Sequence, residues 1–427
     1  AYSTGGNVTI NNQSTGSLQV VSSFSNAIGI YGYTADGSVD INNEGDVFAA
    51  SFYGLADGIF ASGTDVDVSN SGDITAISIF GGWAAGIEAQ ATDLTTVHNE
   101  GDISASATYG AAYGIYATGG DVTIANSGNV EAQGYYATGI EAQSTGDVSV
   151  DNSGDIVAGS VSTYYNPYTY STNVSGSAIA TGINAESNGE GAAVDVTNSG
   201  DISAVSYFGG AGISAISSGQ YGTASVTNSG NIYASQYAKY GYGAYGIVTS
   251  ADGDSSIDNS GTIDVVSAGV AEGATALAFA GDASVVNSGD ITVYSSAALG
   301  YSATGITAFA ANGNASVDNS GSVDASAKYW ASAVTATAQG DVTVDNSGSL
   351  YADGDKYAFG VYALSNAGDV MVHNEDGGEI GFYSYYGRGW GVFAYAGQGD
   401  VHVTNDGAIS GYAYGQSAGV FGLAGYG

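Results

Sequence analysis

The sequence predicts an all-β chain: a single right-handed parallel β-solenoid of about fourteen coils, with three short strands in each. Three observations carry that expectation. An internal repeat covers the whole chain, apolar residues alternate with period two inside every repeat, and 69 glycines stand against one proline in 427 residues.

The repeat signature reads Asn-Ser-Gly-Asp/Asn-Ile, sometimes degenerate. Its asparagines are Asn12, Asn43, Asn70, Asn99, Asn126, Asn152, Asn198, Asn228, Asn259, Asn287, Asn319, Asn346, Asn374 and Asn405. Thirteen intervals separate them, twelve of 26 to 32 residues and one of 46. Fourteen copies in register argue for one continuous domain over residues 1–427, because a single coil cannot bury its apolar face without neighbours.

The first strand of each coil ends at the signature Asn. In Val66-x-Val68-x-Asn70, and likewise Val122, Ile124 and Asn126, or Val342, Val344 and Asn346, the amide shares the phase of the two apolar residues before it. A period of two excludes helix and points the Asn inward. Burial is tolerable only if identical amides stack at the strand spacing of about 4.8 Å and hydrogen-bond along the axis. The Gly two residues later is expected to supply a left-handed turn.

The second strand carries Ile-x-Ala just after that Gly. The third reads Gly-Ile/Val-x-Ala, as in Gly58-Ile59-Phe60-Ala61, Gly139-Ile140-Glu141-Ala142 and Gly305-Ile306-Thr307-Ala308, weakening to Ala276-Leu277-Ala278 in one coil. The lack of proline fits, since proline cannot donate to a ladder bond. Pro167 sits in the longest interval and predicts a Tyr-rich loop thrown out at about residues 159–178.

Composition excludes several function classes. Asp and Glu number 41 and Lys and Arg 4, giving a net charge of −37 from missing cations rather than surplus acids. Such a surface repels phosphate backbones and anionic headgroups, so neither nucleic acid nor a membrane surface is an expected partner. No run of about 18 apolar residues occurs, so membrane insertion by a helix is not expected. The absence of Cys rules out disulfides within the chain. A start at Ala1-Tyr2-Ser3, without Met, is read as a secreted chain after leader removal.

Runs such as Asp147-Val148-Ser149-Val150-Asp151-Asn152-Ser153-Gly154-Asp155-Ile156 resemble the parallel β-helix passengers of bacterial autotransporters and related filamentous adhesins. The resemblance implies a secreted protein, extracellular or on the cell surface of a Gram-negative bacterium. It carries over no catalytic residue.

No enzyme is expected. The cations Lys239, Lys328, Lys356 and Arg388 lie in different coils, so no basic cluster exists for lyase chemistry, and repeated acids make carboxylate pairs uninformative. His98 and His373 each directly precede a ladder Asn, while His402, in the coil next to His373, lies three before its own, so no shared metal site is suggested. Acids do recur in two rows. Asp46, Asp73, Asp102, Asp155, Asp201 and Asp290 follow the signature Gly, while Asp121, Asp147, Asp282, Asp341, Asp369 and Asp400 precede the first strand. Stacked carboxylates either splay into water or hold a hard cation, and Asp341, Asp369 and Asp400 are the candidate Ca²⁺ ligands; no other cofactor is expected.

Aromatics concentrate between the second and third strands. Tyr53, Trp83, Tyr136, Tyr240, Trp330 and Trp390 are expected to line one edge as a seam, covering coil corners or contacting a neighbouring subunit, glycans or other cells. The first signature, Val8, Ile10 and Asn12, opens almost at the start, and Gly419-Val420-Phe421 lies near the end, with no Lys, Arg or Pro within thirty residues of either terminus. Unblunted edges of that kind predict head-to-tail stacking of copies. The expected function is a structural extracellular rod, a filament protomer or adhesin stalk. The alternative is a carbohydrate-binding or polysaccharide-degrading β-helix using the aromatic seam.

Overall fold

The computed structural model describes residues 1–166, 171–296 and 301–425, with backbone alone for 162–175. The chain is all-β, a parallel β-solenoid of about fourteen turns, with no helix among the described residues. It divides into two compact units, Ala1–Tyr207 with Gly212–Ser217, and Phe208–Ala211 with Ser218–Gly427.

In the first unit the opening coil is Val8–Asn12, Ser17–Ser22 and Ala27–Thr34, and the next is Ser38–Asn43, Asp46–Ser51 and Ala56–Gly63. Each strand pairs in parallel with its counterpart one coil on, so that Val8 meets Val39, Ile10 meets Ile41 and Asn12 meets Asn43. In two coils the second and third strands merge into the unbroken strands Ile103–Gly119 and Val130–Ser144. The second unit repeats the arrangement from Thr223–Asn228 to Ser417–Ala424.

Period two operates in the first and second strands of the coils, and the third strands depart from it around the motif Gly. Asp65–Asn70 buries Val66, Val68 and Asn70 and turns Asp65 and Asp67 to solvent. The inward positions of the other strands hold Ile, Val and Ala, with Ile59, Ala61, Ile74 and Ala76 all essentially inaccessible. Alternating Ile and Ala fills a narrow core without overpacking.

Three sequence readings need correction. The weak third-strand motif is Gly273-Ala274-Thr275-Ala276, because Ala274 pairs with Ile247 on one side and Ile306 on the other. The insertion, read as a loop, carries a pair of antiparallel strands: Val161–Asn166 pairs with Ser171–Gly176, and Gly159 and Gly176 take positive φ at its base. Pro167 lies outside the described residues.

The third correction concerns the signature glycines, which do not adopt positive φ. They are required by close approach. A Cβ at Gly101 would overlap the carbonyl of Gly72, and one at Gly128 that of Gly101, so the backbones of successive corners stack with no room for a side chain. Among the signature corners a left-handed glycine appears where the signature is two residues longer, at Gly377 with φ 89° in Asn374-Glu375-Asp376-Gly377-Gly378.

Candidate functional site

The Asn column is a continuous hydrogen-bonded ladder within each unit. Asn12 Nδ2 donates to Asn43 Oδ1 at 2.7 Å, and the pattern continues through Asn70, Asn99, Asn126 and Asn152 to Asn198. In the second unit it runs from Asn228 through Asn259, Asn287, Asn319 and Asn346 to Asn374 and Asn405. The second amide hydrogen goes to the carbonyl of the signature Gly, as from Asn152 to Gly154 at 2.8 Å. Asn43 through Asn374 are buried, and from Asn70 to Asn152 and again from Asn259 to Asn374 each amide has both donors and its acceptor used. The ladder has a direction: every amide donates toward the C-terminal coils.

The acidic rows solve a different problem. The N–H of Asp369 donates to Asp341 Oδ1 and that of Asp400 to Asp369 Oδ1, each at 2.8 Å. The other row does the same, Asp102 donating to Asp73 Oδ1 at 3.2 Å and Asn129 to Asp102 Oδ1 at 3.0 Å. Each carboxylate thus caps the backbone of the next coil. Asp341, Asp369 and Asp400 are stacked but do not converge, and no group of three or more His, Cys, Asp or Glu able to hold a metal occurs among the described residues.

The aromatic residues fall into three registers rather than one seam. Tyr53 and Tyr240 sit at exposed corners, Tyr53 stacked between Phe24 and Phe80, and Tyr240 beneath the Lys239 ammonium. Trp83, Tyr136 and Trp330 open third-strand segments, three residues before the motif's Gly or its Ala333 replacement. Trp390 lies immediately before a motif Gly, is only 7% exposed, and stacks on Phe359 at 4.9 Å. It is therefore packing material, unsuited to gripping a glycan.

The reason is a bend. The third-strand ladder omits the motif glycines, pairing Asp57 with Ala85 and then Ile59 with Ile87. On the outer side, the residue before each Gly meets the one two places after it: Tyr113 packs edge-on against Tyr116 at 5.2 Å, and Phe359 against Tyr362 at 5.1 Å. Side chains that a flat strand would expose are enclosed.

This bend also buries carboxylates, a feature sequence reasoning missed. Asp57 is 1% exposed, and Glu88 and Glu141 are nearly as covered. Burial, reinforced by Glu88, pushes the Asp57 carboxyl up to about 7. Burial does the same to Glu141, up to about 7, against hydrogen bonds from Asn184 at 2.9 Å and Gln143 at 2.8 Å. Burial raises Glu88 too. The Trp83 indole N–H faces both Asp57 and Glu88 without closing a well-formed hydrogen bond, so it offsets the burial only in part. The only sequence signal was a Glu at the variable position of Gly-Ile-x-Ala.

His98 pairs with Glu100 at 3.1 Å, and His373 reaches Asp406 at 3.3 Å and Asp345 at 3.8 Å, as solvated surface pairs. In the second unit, Tyr383, Tyr385, Tyr386, Tyr412 and Tyr414 line an open cleft of about 620 Å³. No protein-family model matches the chain, and neither a curated protein nor a solved structure matches it.

Proposed function

We propose that this chain is a structural rod element that adds copies of itself end to end, working outside the cell or on its surface. The carrying observation is the polarity of the Asn ladder. Asn12 Oδ1 accepts no hydrogen bond among the described residues, and Asn405 uses one amide hydrogen on Gly407 at 3.1 Å, leaving the other without a described partner. A donor at one face and an acceptor at the other are what a further coil would require. The first-coil strands Val8–Asn12 and Ser17–Ser22 pair on one side only, as do the last-coil strands Val401–Asn405, Ala408–Ala413 and Ser417–Ala424. Open edges of this kind template further pairing.

Light scattering and electron microscopy of the purified chain at rising concentration test the reading. Linear assemblies are expected, and Thr9→Pro, which removes a backbone donor from the open side of Val8–Asn12, should stop growth. Persistent monomers would overturn the proposal.

One observation favours a second reading, carbohydrate binding. The five-tyrosine cleft joins ring faces to phenolic hydroxyls with no charged side chain in its lining, a chemistry suited to neutral sugars. Titration calorimetry with neutral oligosaccharides tests it; binding that survives Tyr385→Ala and Tyr414→Ala would place the sugar elsewhere.

A further inference from the structure

The outer residue two places after the motif Gly changes character along the chain. In the first unit it is Tyr31, Phe60, Glu88, Tyr116, Glu141 and Asn184, paired in that order, and then Ser214. In the second it is Val248, Thr275, Thr307 and Thr335, then Tyr362, Phe393 and Phe421. Consecutive aromatic rings at this register thus occur in the first two coils and the last three. They form parallel stacks with one spacing: Tyr31 on Phe60 at 5.2 Å and 7°, Tyr362 on Phe393 at 5.2 Å and 13°, and Phe393 on Phe421 at 5.2 Å and 12°. Each stack stops at a ring with an open face, Tyr31 at 40% exposure and Phe421 at 36%.

We infer that Phe421 of one copy stacks on Tyr31 of the next, so that these two rings set the register of a head-to-tail junction. This rests on the end-to-end reading above and names the side chains that would carry it. Continuing the repeat by one coil puts Asn405 on Asn12, Val401 on Val8, Ile409 on Leu18 and Phe421 on Tyr31, all in the pairing that neighbouring coils already use. The ladder alone does not fix this register, since any coil offers an amide. A ring laid on a ring at the coil spacing adds directional packing energy that a Thr in the same place lacks.

One contact opposes the junction. The two-residue strand Tyr2–Ser3 pairs with Tyr33 and Thr34, and the Tyr2 ring stacks on Tyr33 at 5.2 Å. These are the places that Leu423 and Ala424 of the incoming copy would take. Ala1 holds the same edge, donating to the Tyr31 carbonyl and accepting from the Tyr33 N–H, so the junction displaces Ala1–Ser3 from the edge of Ala27–Thr34.

The experiment measures the critical concentration for assembly of the full chain and of Tyr31→Thr and Phe421→Thr. Thr already occupies this register in the coils of Thr275, Thr307 and Thr335, so the fold should tolerate both changes, which a thermal melt checks. Each change should raise the critical concentration by about tenfold, the weight of one aromatic pair. A second pair of variants supplies an independent readout. Phe421→Asp alone should block assembly, and Phe421→Asp combined with Tyr31→Lys should restore it. If the parent assembles and the Thr variants assemble at the same concentration, or the charge pair fails to restore growth, the junction is wrong while the end-to-end reading stands. If the parent never assembles, both fall.

Discussion

Replacing Asn152 by Leu tests whether the amide ladder holds the coils together. Asn152 is wholly buried, accepts from Asn126 Nδ2 at 2.7 Å, and donates to Asn198 Oδ1 at 2.7 Å and to the Gly154 carbonyl at 2.8 Å. Leucine removes all three bonds. It leaves one Asn126 hydrogen, the Asn198 oxygen and the Gly154 carbonyl without partners in a place water does not reach. At about 1 kcal/mol for each orphaned group, the loss is about 3 kcal/mol, and more if the larger side chain strains the stack. Asn405 provides the control, being exposed at the ladder's end, where water replaces what Leu removes; Asn405→Leu should cost less than about 1 kcal/mol.

Coils interact mainly with their neighbours, so the damage should be local as well as global. Urea unfolding gives the overall change, and amide exchange across Ser127, Ser153 and Ser199, whose N–H groups bond to the preceding coil's Asn carbonyls, gives the local one. Equal effects at Asn152 and Asn405, or none at Asn152, would refute the claim that buried amide pairing stabilises the stack.

Three further outcomes follow from the same geometry. Gly128→Ala should destabilise the chain by about 1–3 kcal/mol in a thermal melt, because its Cβ would overlap the Gly101 carbonyl, whereas Gly5→Ala, with open space around it, should be silent. A chelator should leave the melting temperature unchanged, since Asp341 and Asp369 are used on backbone N–H groups; a drop reversed by Ca²⁺ would revive the cation reading. Stability should fall as pH rises from the ordinary carboxylate range to about 7. There the folded chain holds protons on Asp57 and Glu141 that the unfolded chain has released, a loss of about 3–4 kcal/mol per group. Asp57→Asn with Glu141→Gln should flatten that slope in melts between pH 4 and 8, and an unchanged slope would mean these carboxyls ionise freely in the fold.

The fold was legible because a repeat multiplies a weak signal. The phase of Val66, Val68 and Asn70 alone would not assign a buried amide, but the same phase in coil after coil does. The role of the signature Gly was not legible. One residue type serves both a positive φ and a close backbone approach, and only the position of the Gly72 carbonyl over Gly101 separates them. The outer bend was hidden for a related reason. Period two sends Asp57, Glu88 and Trp390 outward correctly, but outward means exposed only on a flat strand, and the motif glycines bend this one.

Ladder polarity also constrains how two copies can meet. A symmetric pair joined by its C-terminal faces would set the Asn405 amides against each other, each offering a hydrogen where the other also offers one, and would run the last strands antiparallel. A symmetric pair joined by its N-terminal faces would oppose two Asn12 oxygens. Both leave like groups facing, which costs about as much as an unmade hydrogen bond each. Only the heterologous contact matches donor to acceptor, and such contacts do not close on themselves unless a rotation happens to complete a ring. Self-association of this chain should therefore pass from monomers to a broad ladder of oligomers without a favoured dimer. Sedimentation velocity reads that distribution directly: a single sharp dimer boundary would mean that the copies meet through their sides and that the amide column plays no part.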